Sequence, residues 1–323
     1  MPLAAKADAV NRQLERLMPV LTPLGVLLGF CFSGTFLHLR PFVPWLFGLI
    51  TLTGALKLKI AEFGNTVRSP VPIAAFFIST HVVMPLCAML ASSVLFAEDP
   101  NITAGFILLF SGPAAVSSFI WVAMFLGDKA LCLTLILLDT LLAPLVVPGT
   151  VLLLMGTKVS MDMTGIAVSL ILMVVIPTII GVAVNETSRG KIPALACPYL
   201  NPISKMCLIL VIAANTSPVA KMIRFEPVVL KVAGVSIVLT FGGFVISKLA
   251  AAAIRCNTEK SVALLFTGGL RNISAVTIIA VTFFSEAAAL PALLGIVFQQ
   301  TVSVVMGKLL IKKPPLNQGN AQK

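Results

Sequence analysis

Apolar positions along the chain cluster into ten long runs separated by short polar stretches. The runs cover residues 17–37, 41–57, 70–95, 102–127, 131–155, 164–184, 200–214, 228–252, 261–284 and 287–311. A bilayer core about 30 Å thick takes about 20 helical residues, so runs of this kind predict transmembrane helices. The second and seventh are short, which predicts tilted, kinked or partly re-entrant segments. The expected fold class is an all-α polytopic membrane protein with ten transmembrane helices.

Two runs are interrupted at matching places. The fourth contains Phe110-Ser111-Gly112-Pro113-Ala114-Ala115-Val116-Ser117-Ser118, and the ninth contains Phe266-Thr267-Gly268-Gly269-Leu270-Arg271-Asn272-Ile273-Ser274. Aligned without gaps, Phe110 meets Phe266, Ser111 meets Thr267, Gly112 meets Gly268, and Ser118 meets Ser274. Each run is the fourth in a group of five. An odd number of spans turns the second group upside down relative to the first. The pattern therefore predicts two inverted five-helix repeats, 17–155 and 156–311, with crossed discontinuous fourth and ninth helices. Many secondary transporters share this plan, with the binding site where the broken helices meet. A cytoplasmic N-terminal segment, 1–16, and a cytoplasmic tail, 312–323, flank the repeats.

Breaking a helix frees carbonyl and amide groups that lipid cannot satisfy. Facing a cavity, the carbonyl ends suit cations and the amide ends suit anions. Ser111, Thr267, Ser118, Asn272 and Ser274 add side-chain oxygens at the same level.

Composition supports the membrane assignment. The 323 residues are 58% hydrophobic and 11% charged, with a mean hydropathy of +1.05; soluble domains carry about a quarter charged residues. The net charge of +11 is spread singly between the runs, which is not a nucleic-acid signature. With each Lys and Arg assigned to the nearest run end, 17 of the 23 fall on the N-terminus, the even-numbered loops and the C-terminus. Five fall on the odd-numbered loops, and Arg271 is the remaining one. The bias places both termini in the cytoplasm, with Lys57, Lys59 and Arg68 as part of the signal. Six cysteines without paired spacing read as apolar fillers, not as a disulfide framework or a metal site.

Three strongly ionisable groups fall at mid-depth. Asp139 lies ten residues into the fifth helix from Lys129, Arg271 ten from Ser261, and His81 eleven from Pro70. At about 1.5 Å per residue, each sits about 15 Å inside. An uncompensated charge there is costly, so pairing is expected, and such charges usually mark a pathway. Asp139 and Arg271 are expected to approach each other at the crossing of the broken helices, as part of a site or as a purely structural pair. His81 is either a packing residue or a proton-coupling group. Gln299-Gln300-Thr301 either lines the cavity or forms an interhelical hydrogen-bond cluster. Pro85, Pro144, Pro148 and Pro177 are expected to kink their helices.

The stretch from Gly112-Pro113 through Gly127-Asp128-Lys129-Ala130-Leu131 to Thr140-Leu141-Leu142-Ala143-Pro144 resembles the fourth and fifth helices of the bile acid:sodium symporter family. Gly269-Leu270-Arg271-Asn272 resembles that family's ninth-helix motif. The resemblance implies interleaved panel and core domains and organic-anion uptake by alternating access. It also exposes departures. Ser118 is kept, but the following asparagine is Phe119. The glutamate position is Thr267, the glutamine position is Arg271, and the asparagine is kept as Asn272. Two hydroxyl ligands on the fifth helix fall on Cys132 and Ile136, and a glutamine on the third falls on Thr80. Ser118, Thr267 and Thr80 are the weak sodium candidates that remain.

Sodium wants several hard oxygen ligands, and a fixed guanidinium repels a nearby sodium ion. The usual two-sodium coupling is therefore expected to be lost or altered. Arg271 would substitute for one cation, and Asp139 would carry a proton or neutralise Arg271. The leading expectation is a secondary transporter of a small organic anion, bile-acid-like or a carboxylate or sulfonate. It would sit in an inner (cytoplasmic) membrane of bacterial type and need no cofactor, with sodium or protons as co-ions. A proton-coupled cation antiporter using Asp139 and a transport-dead ligand sensor stay open. An enzyme is not expected, because no metal cluster, nucleophile–base pair or cofactor motif is present.

Overall fold

A computed structural model describes residues 3–58, 70–156, 162–217 and 227–311. Most of the basic loop from Lys57 to Arg68 and the whole 312–323 tail lie outside the described residues. Thirteen helices follow one another among the described residues. They are α1 (Leu3–Cys31), α2 (Ser33–Leu37), α3 (Val43–Ala55), α4 (Pro70–Leu95), α5 (Pro100–Ser111), α6 (Ser118–Met124) and α7 (Lys129–Met155). Then come α8 (Met163–Thr187), α9 (Lys191–Thr216), α10 (Pro227–Ala253), α11 (Thr258–Gly269), α12 (Ile273–Phe283) and α13 (Glu286–Leu310). The one β-type pairing among the described residues is an antiparallel bridge between Ala114 and Arg271.

Five helices, α4, α7, α8, α9 and α10, are each long and apolar enough to cross a membrane. The boundaries differ from the sequence expectation in two places. The helix begins at Leu3, so the N-terminal segment is not set apart from the first apolar run. The short seventh run extends to the 26 residues of α9, because Pro198 and Pro202 are accommodated inside the helix.

Prolines shape two other helices. α4 carries a π-helical turn at Ser79–Val83, just before Pro85. α8 carries one at Ile171–Val175, just before Pro177. A proline lacks the N–H that closes an α turn and clashes with the preceding carbonyl, and one extra residue in the turn relieves both. Pro144 and Pro148 lie within α7.

Helix α3 packs against α8 and α9, and α1 runs along α9. On the other side, α5 is enclosed by α4, α7 and α13, while α11 packs on α6, α7 and α10. Helix α12 reaches across to α3, α8 and α9. The half-helices α5 and α11 sit deepest. From Ile102 to Ser111 and from Ser261 to Gly269 every residue is buried, which is the pattern of a helix apolar all round and covered on every side. Asp99 caps α5 through the Asn101 N–H, and Asn257 caps α11 through the Lys260 N–H, both at 3.0 Å.

Candidate functional site: the crossing of two broken helices

Helix α5 stops at Ser111 and α6 starts at Ser118; α11 stops at Gly269 and α12 starts at Ile273. Pro113 and the Gly268-Gly269 pair end the two incoming half-helices for different reasons. Proline withholds a donor, and glycine permits close approach. A Cβ at Gly269 would run into the Phe244 ring, and one at Gly112 into a Val276 methyl, so both breaks are packed too tightly for a side chain. The extended strips between the half-helices meet face to face. The Ala115 N–H donates to Leu270 O at 3.0 Å, and the Asn272 N–H donates to Pro113 O at 2.7 Å. These bonds satisfy backbone that would otherwise be stranded in an apolar interior.

Arg271 is 2% exposed. Its guanidinium donates to Gly112 O at 3.4 Å and to Gly268 O at 3.1 Å. Those carbonyls belong to the C-terminal ends of α5 and α11, where helix dipoles concentrate negative charge. Gln299 of α13 fixes the same residue through its backbone: the Arg271 N–H donates to Gln299 Oε1, and Gln299 Nε2–H donates to Arg271 O, both at 3.0 Å. This places Gln299 in a hydrogen-bond cluster at the crossing. The side chain of Gln300 lies outside the described residues, and Thr301 is exposed.

Asp139 is fully buried, with both oxygens engaged. Oδ1 lies 2.7 Å from His81 Nε2, and Oδ2 accepts from the Ala114 N–H at 2.7 Å. The expected approach of Asp139 to Arg271 thus takes a different form. Both reach the crossing, but the carboxylate bonds His81 and the strip that pairs with Arg271, not the guanidinium. The guanidinium's own donors are turned to carbonyls of the two half-helices. His81 stacks on Phe77 at 5.5 Å between ring centroids, and its buried Nδ1 has no hydrogen-bond partner among the described residues.

Ser118 and Thr267, from opposite broken helices, converge on Cys132 of α7. Thr267 Oγ1–H donates to Cys132 Sγ at 3.2 Å, and Ser118 Oγ lies 3.7 Å from the same sulfur. A thiol is a soft, weak partner and a poor match for sodium, which favours hard oxygens. Thr80 is tied to its own helix, its hydroxyl donating to Phe76 O at 2.6 Å. Ser111 is likewise bonded back to Leu108 O at 3.2 Å. Asn272 caps α12 by accepting from the Ala275 N–H at 3.3 Å. Ser274 is half-buried. Among the described residues no group of three or more His, Cys, Asp or Glu is arranged to hold a metal ion.

Sequence reasoning missed the parts of this site made by backbone: the Gly112 and Gly268 carbonyls and the Ala114 amide. It also read Cys132 first as filler, although its position on a hydroxyl ligand's address was the available signal.

Residues 44–226 match the profile of the sodium bile acid symporter family. An uncharacterised Bacillus subtilis protein, YbaS, is 37% identical over 296 residues, 91% of this chain and 96% of the relative. A second Bacillus subtilis protein, YocS, described as an uncharacterised sodium-dependent transporter, is 23% identical over 91% of both chains. A rice chloroplast protein, BASS3, described as a probable sodium/metabolite cotransporter, is 27% identical over 66% of this chain and 50% of its own length. The broken, buried helices and the extent of these matches lead to one assignment: the chain belongs to the sodium bile acid symporter family, a family of membrane transporters and not of enzymes.

Proposed function

We propose that this chain is a secondary transporter of a small organic anion in which Arg271 stands in for a coupling cation. The reading takes the ten apolar runs as ten spans in two inverted halves that work by alternating access, with both termini cytoplasmic. The observation that carries it is the Arg271 guanidinium on the Gly112 and Gly268 carbonyls, 3.4 and 3.1 Å away. Two helix C-terminal ends pointing at one place make a cation site, and here the cation is covalently attached. A second, mobile cation at the same place meets electrostatic repulsion that a buried setting screens poorly. The oxygen ligands it would need are also taken, since Ser118 and Thr267 both face the Cys132 thiol.

A tethered charge changes the economy of transport. A sodium ion arrives and leaves with each cycle; Arg271 stays. The cargo's negative charge is met by the guanidinium and by the amide ends of α6 and α12, with Asn272 and Ser274 beside them. When the cargo leaves, Asp139 is the nearby negative group that keeps the crossing neutral. The His81–Asp139 contact at 2.7 Å supports a proton as the co-ion of this reading, since a buried His–Asp pair offers a place for one positive charge to offset the cargo's.

Uptake by the purified protein in liposomes, with sodium and pH gradients imposed separately, tests the reading. The expected result is flux of a small carboxylate or sulfonate that responds to the pH gradient and is indifferent to sodium. Strong, saturable sodium dependence would refute the tethered-cation reading.

A further inference from the structure

Far from the crossing, a small cavity opens where the start of α3, the end of α9 and the end of α12 converge. Its polar lining is Arg40, Asn215 and Thr282, with Val43 and Ile278 among the apolar walls. Arg40 lies in a 3₁₀ turn, Arg40–Phe42, that leads into α3. Among the described residues the guanidinium makes one hydrogen bond, from Nη2 to Val281 O at 3.3 Å, which covers a carbonyl left open at the end of α12. A guanidinium has five N–H donors in a planar fork suited to carboxylates and sulfonates, so most of its capacity is unspent.

Asn215 is the second observation. It is 4% exposed, and its Nδ2 is buried without a hydrogen-bond partner among the described residues. A buried, unsatisfied amide is costly and calls for an explanation. No side-chain hydrogen bond among the described residues fixes this amide, and a half-turn about its terminal torsion exchanges Nδ2 and Oδ1 on the cavity wall. Thr282 adds a hydroxyl at the exposed rim. Among the described residues no carboxylate takes part in the lining; Glu286, the nearest acid along the chain from Thr282, is exposed at the start of α13. The first turn of α3 contributes the positive end of a helix dipole. The room for water is about 40 Å³, enough for two or three molecules, or for one oxyanion head group with its tail outside.

We propose that Arg40, Asn215 and Thr282 form a recognition site for the carboxylate or sulfonate head of an organic anion. Thr282 lies eleven residues from Arg271 along α12, about 16 Å at 1.5 Å per residue. The site is therefore a waiting position for the cargo, separate from the crossing. That role rests on the transporter reading; the anion site itself does not.

Site-specific labelling in phosphatidylcholine nanodiscs, where both faces are open, tests the anion site. The thiol introduced by Asn215→Cys is exposed to two methanethiosulfonate reagents, one ending in ethylsulfonate and one in ethyltrimethylammonium, and modification is read by peptide mass spectrometry. Relative to a free thiol in solution, the anionic reagent is expected to gain about tenfold, the size of effect that one cation in a narrow cleft produces. Adding Arg40→Gln is expected to erase the gain, and Arg40→Lys to keep it. A reagent ratio equal to that of the free thiol, a ratio indifferent to Arg40→Gln, or no modification by either reagent overturns the proposal.

Uptake of pyruvate and of taurocholate by otherwise unmodified protein tests the waiting role. Arg40→Gln should raise KM about tenfold and leave the maximal rate unchanged. An unchanged KM removes the waiting role even where labelling supports the anion site. Absence of flux for both probes in the wild-type protein counts against the transporter reading and leaves the labelling result to decide the site.

Discussion

The two helix breaks share a backbone plan and differ in chemistry. Each ends a half-helix that is buried from Ile102 to Ser111 or from Ser261 to Gly269, and each contributes one residue to the Ala114–Arg271 bridge. At matched positions, however, the first break has Ala115 where the second has Arg271. The first break carries no charge of its own and borrows one, the Asp139 carboxylate on the Ala114 N–H. The second carries a guanidinium and spends it on carbonyls of both half-helices. A negative group therefore serves an amide and a positive group serves carbonyls within one crossing. Two similar backbone breaks therefore meet opposite charges, a carboxylate at the Ala114 amide and a guanidinium at the Gly112 and Gly268 carbonyls.

The strongest way to break this comparison is to remove the charge that distinguishes the second break. Arg271→Ala strands two buried carbonyls and deprives the fully buried Asp139 of a neighbouring positive charge. Losing one member of a buried charge constellation costs about 3–5 kcal/mol, so a large drop in thermal stability and complete loss of uptake are expected. Arg271→Lys keeps the charge but cannot reach both carbonyls with a planar fork; it should recover much of the stability and little of the flux. A well-folded Arg271→Ala protein with normal uptake would sink the tethered-cation reading outright.

A smaller effect is expected at the borrowed charge. Asp139→Asn still accepts from the Ala114 N–H but weakens the contact with His81, at a cost of about 1–3 kcal/mol. His81→Gln should cost about as much, and the double variant should cost less than the sum, with a coupling of about 0.5–3 kcal/mol. Under the proton reading, both single variants lose the response of uptake to a pH gradient. Additive stabilities together with an unchanged pH response would reduce the pair to packing and leave the first break without a coupling role.

How much of this was legible in the sequence depended on the kind of information needed. The breaks were readable because glycine and proline act locally. Depth was readable because helical rise is fixed, and this set His81, Asp139 and Arg271 at one level. Partners were not readable, because they depend on rotation about each helix axis. The π turn at Ser79–Val83 contains both Thr80 and His81. One extra residue there turns all that follows by about 100° relative to a plain α-helix. Within this turn Thr80 bonds Phe76 O on its own helix, and His81 takes the carboxylate that had been expected to meet Arg271. The cavity of Arg40, Asn215 and Thr282 was invisible for a related reason. Its residues come from three elements far apart in sequence, and each looks ordinary alone.

The gentlest test concerns a side chain of a third helix that residues flanking both breaks touch. Ser118 follows the first break, Thr267 precedes the second, and Cys132 stands between them. Cys132→Ser replaces a soft acceptor by a hard oxygen of smaller size. The hydroxyl partners gain a better acceptor while a small gap opens, so the net change in stability should stay within about 1 kcal/mol. The informative measurement is the thermal shift on adding sodium chloride against an equal concentration of choline chloride. Three oxygens then surround the spot, yet Arg271 still holds the carbonyls of both half-helices, and no sodium-specific shift is expected. If this single exchange produced one, the guanidinium would not be what keeps sodium out. The contrast between the two breaks would then come down to a thiol and not to a charge.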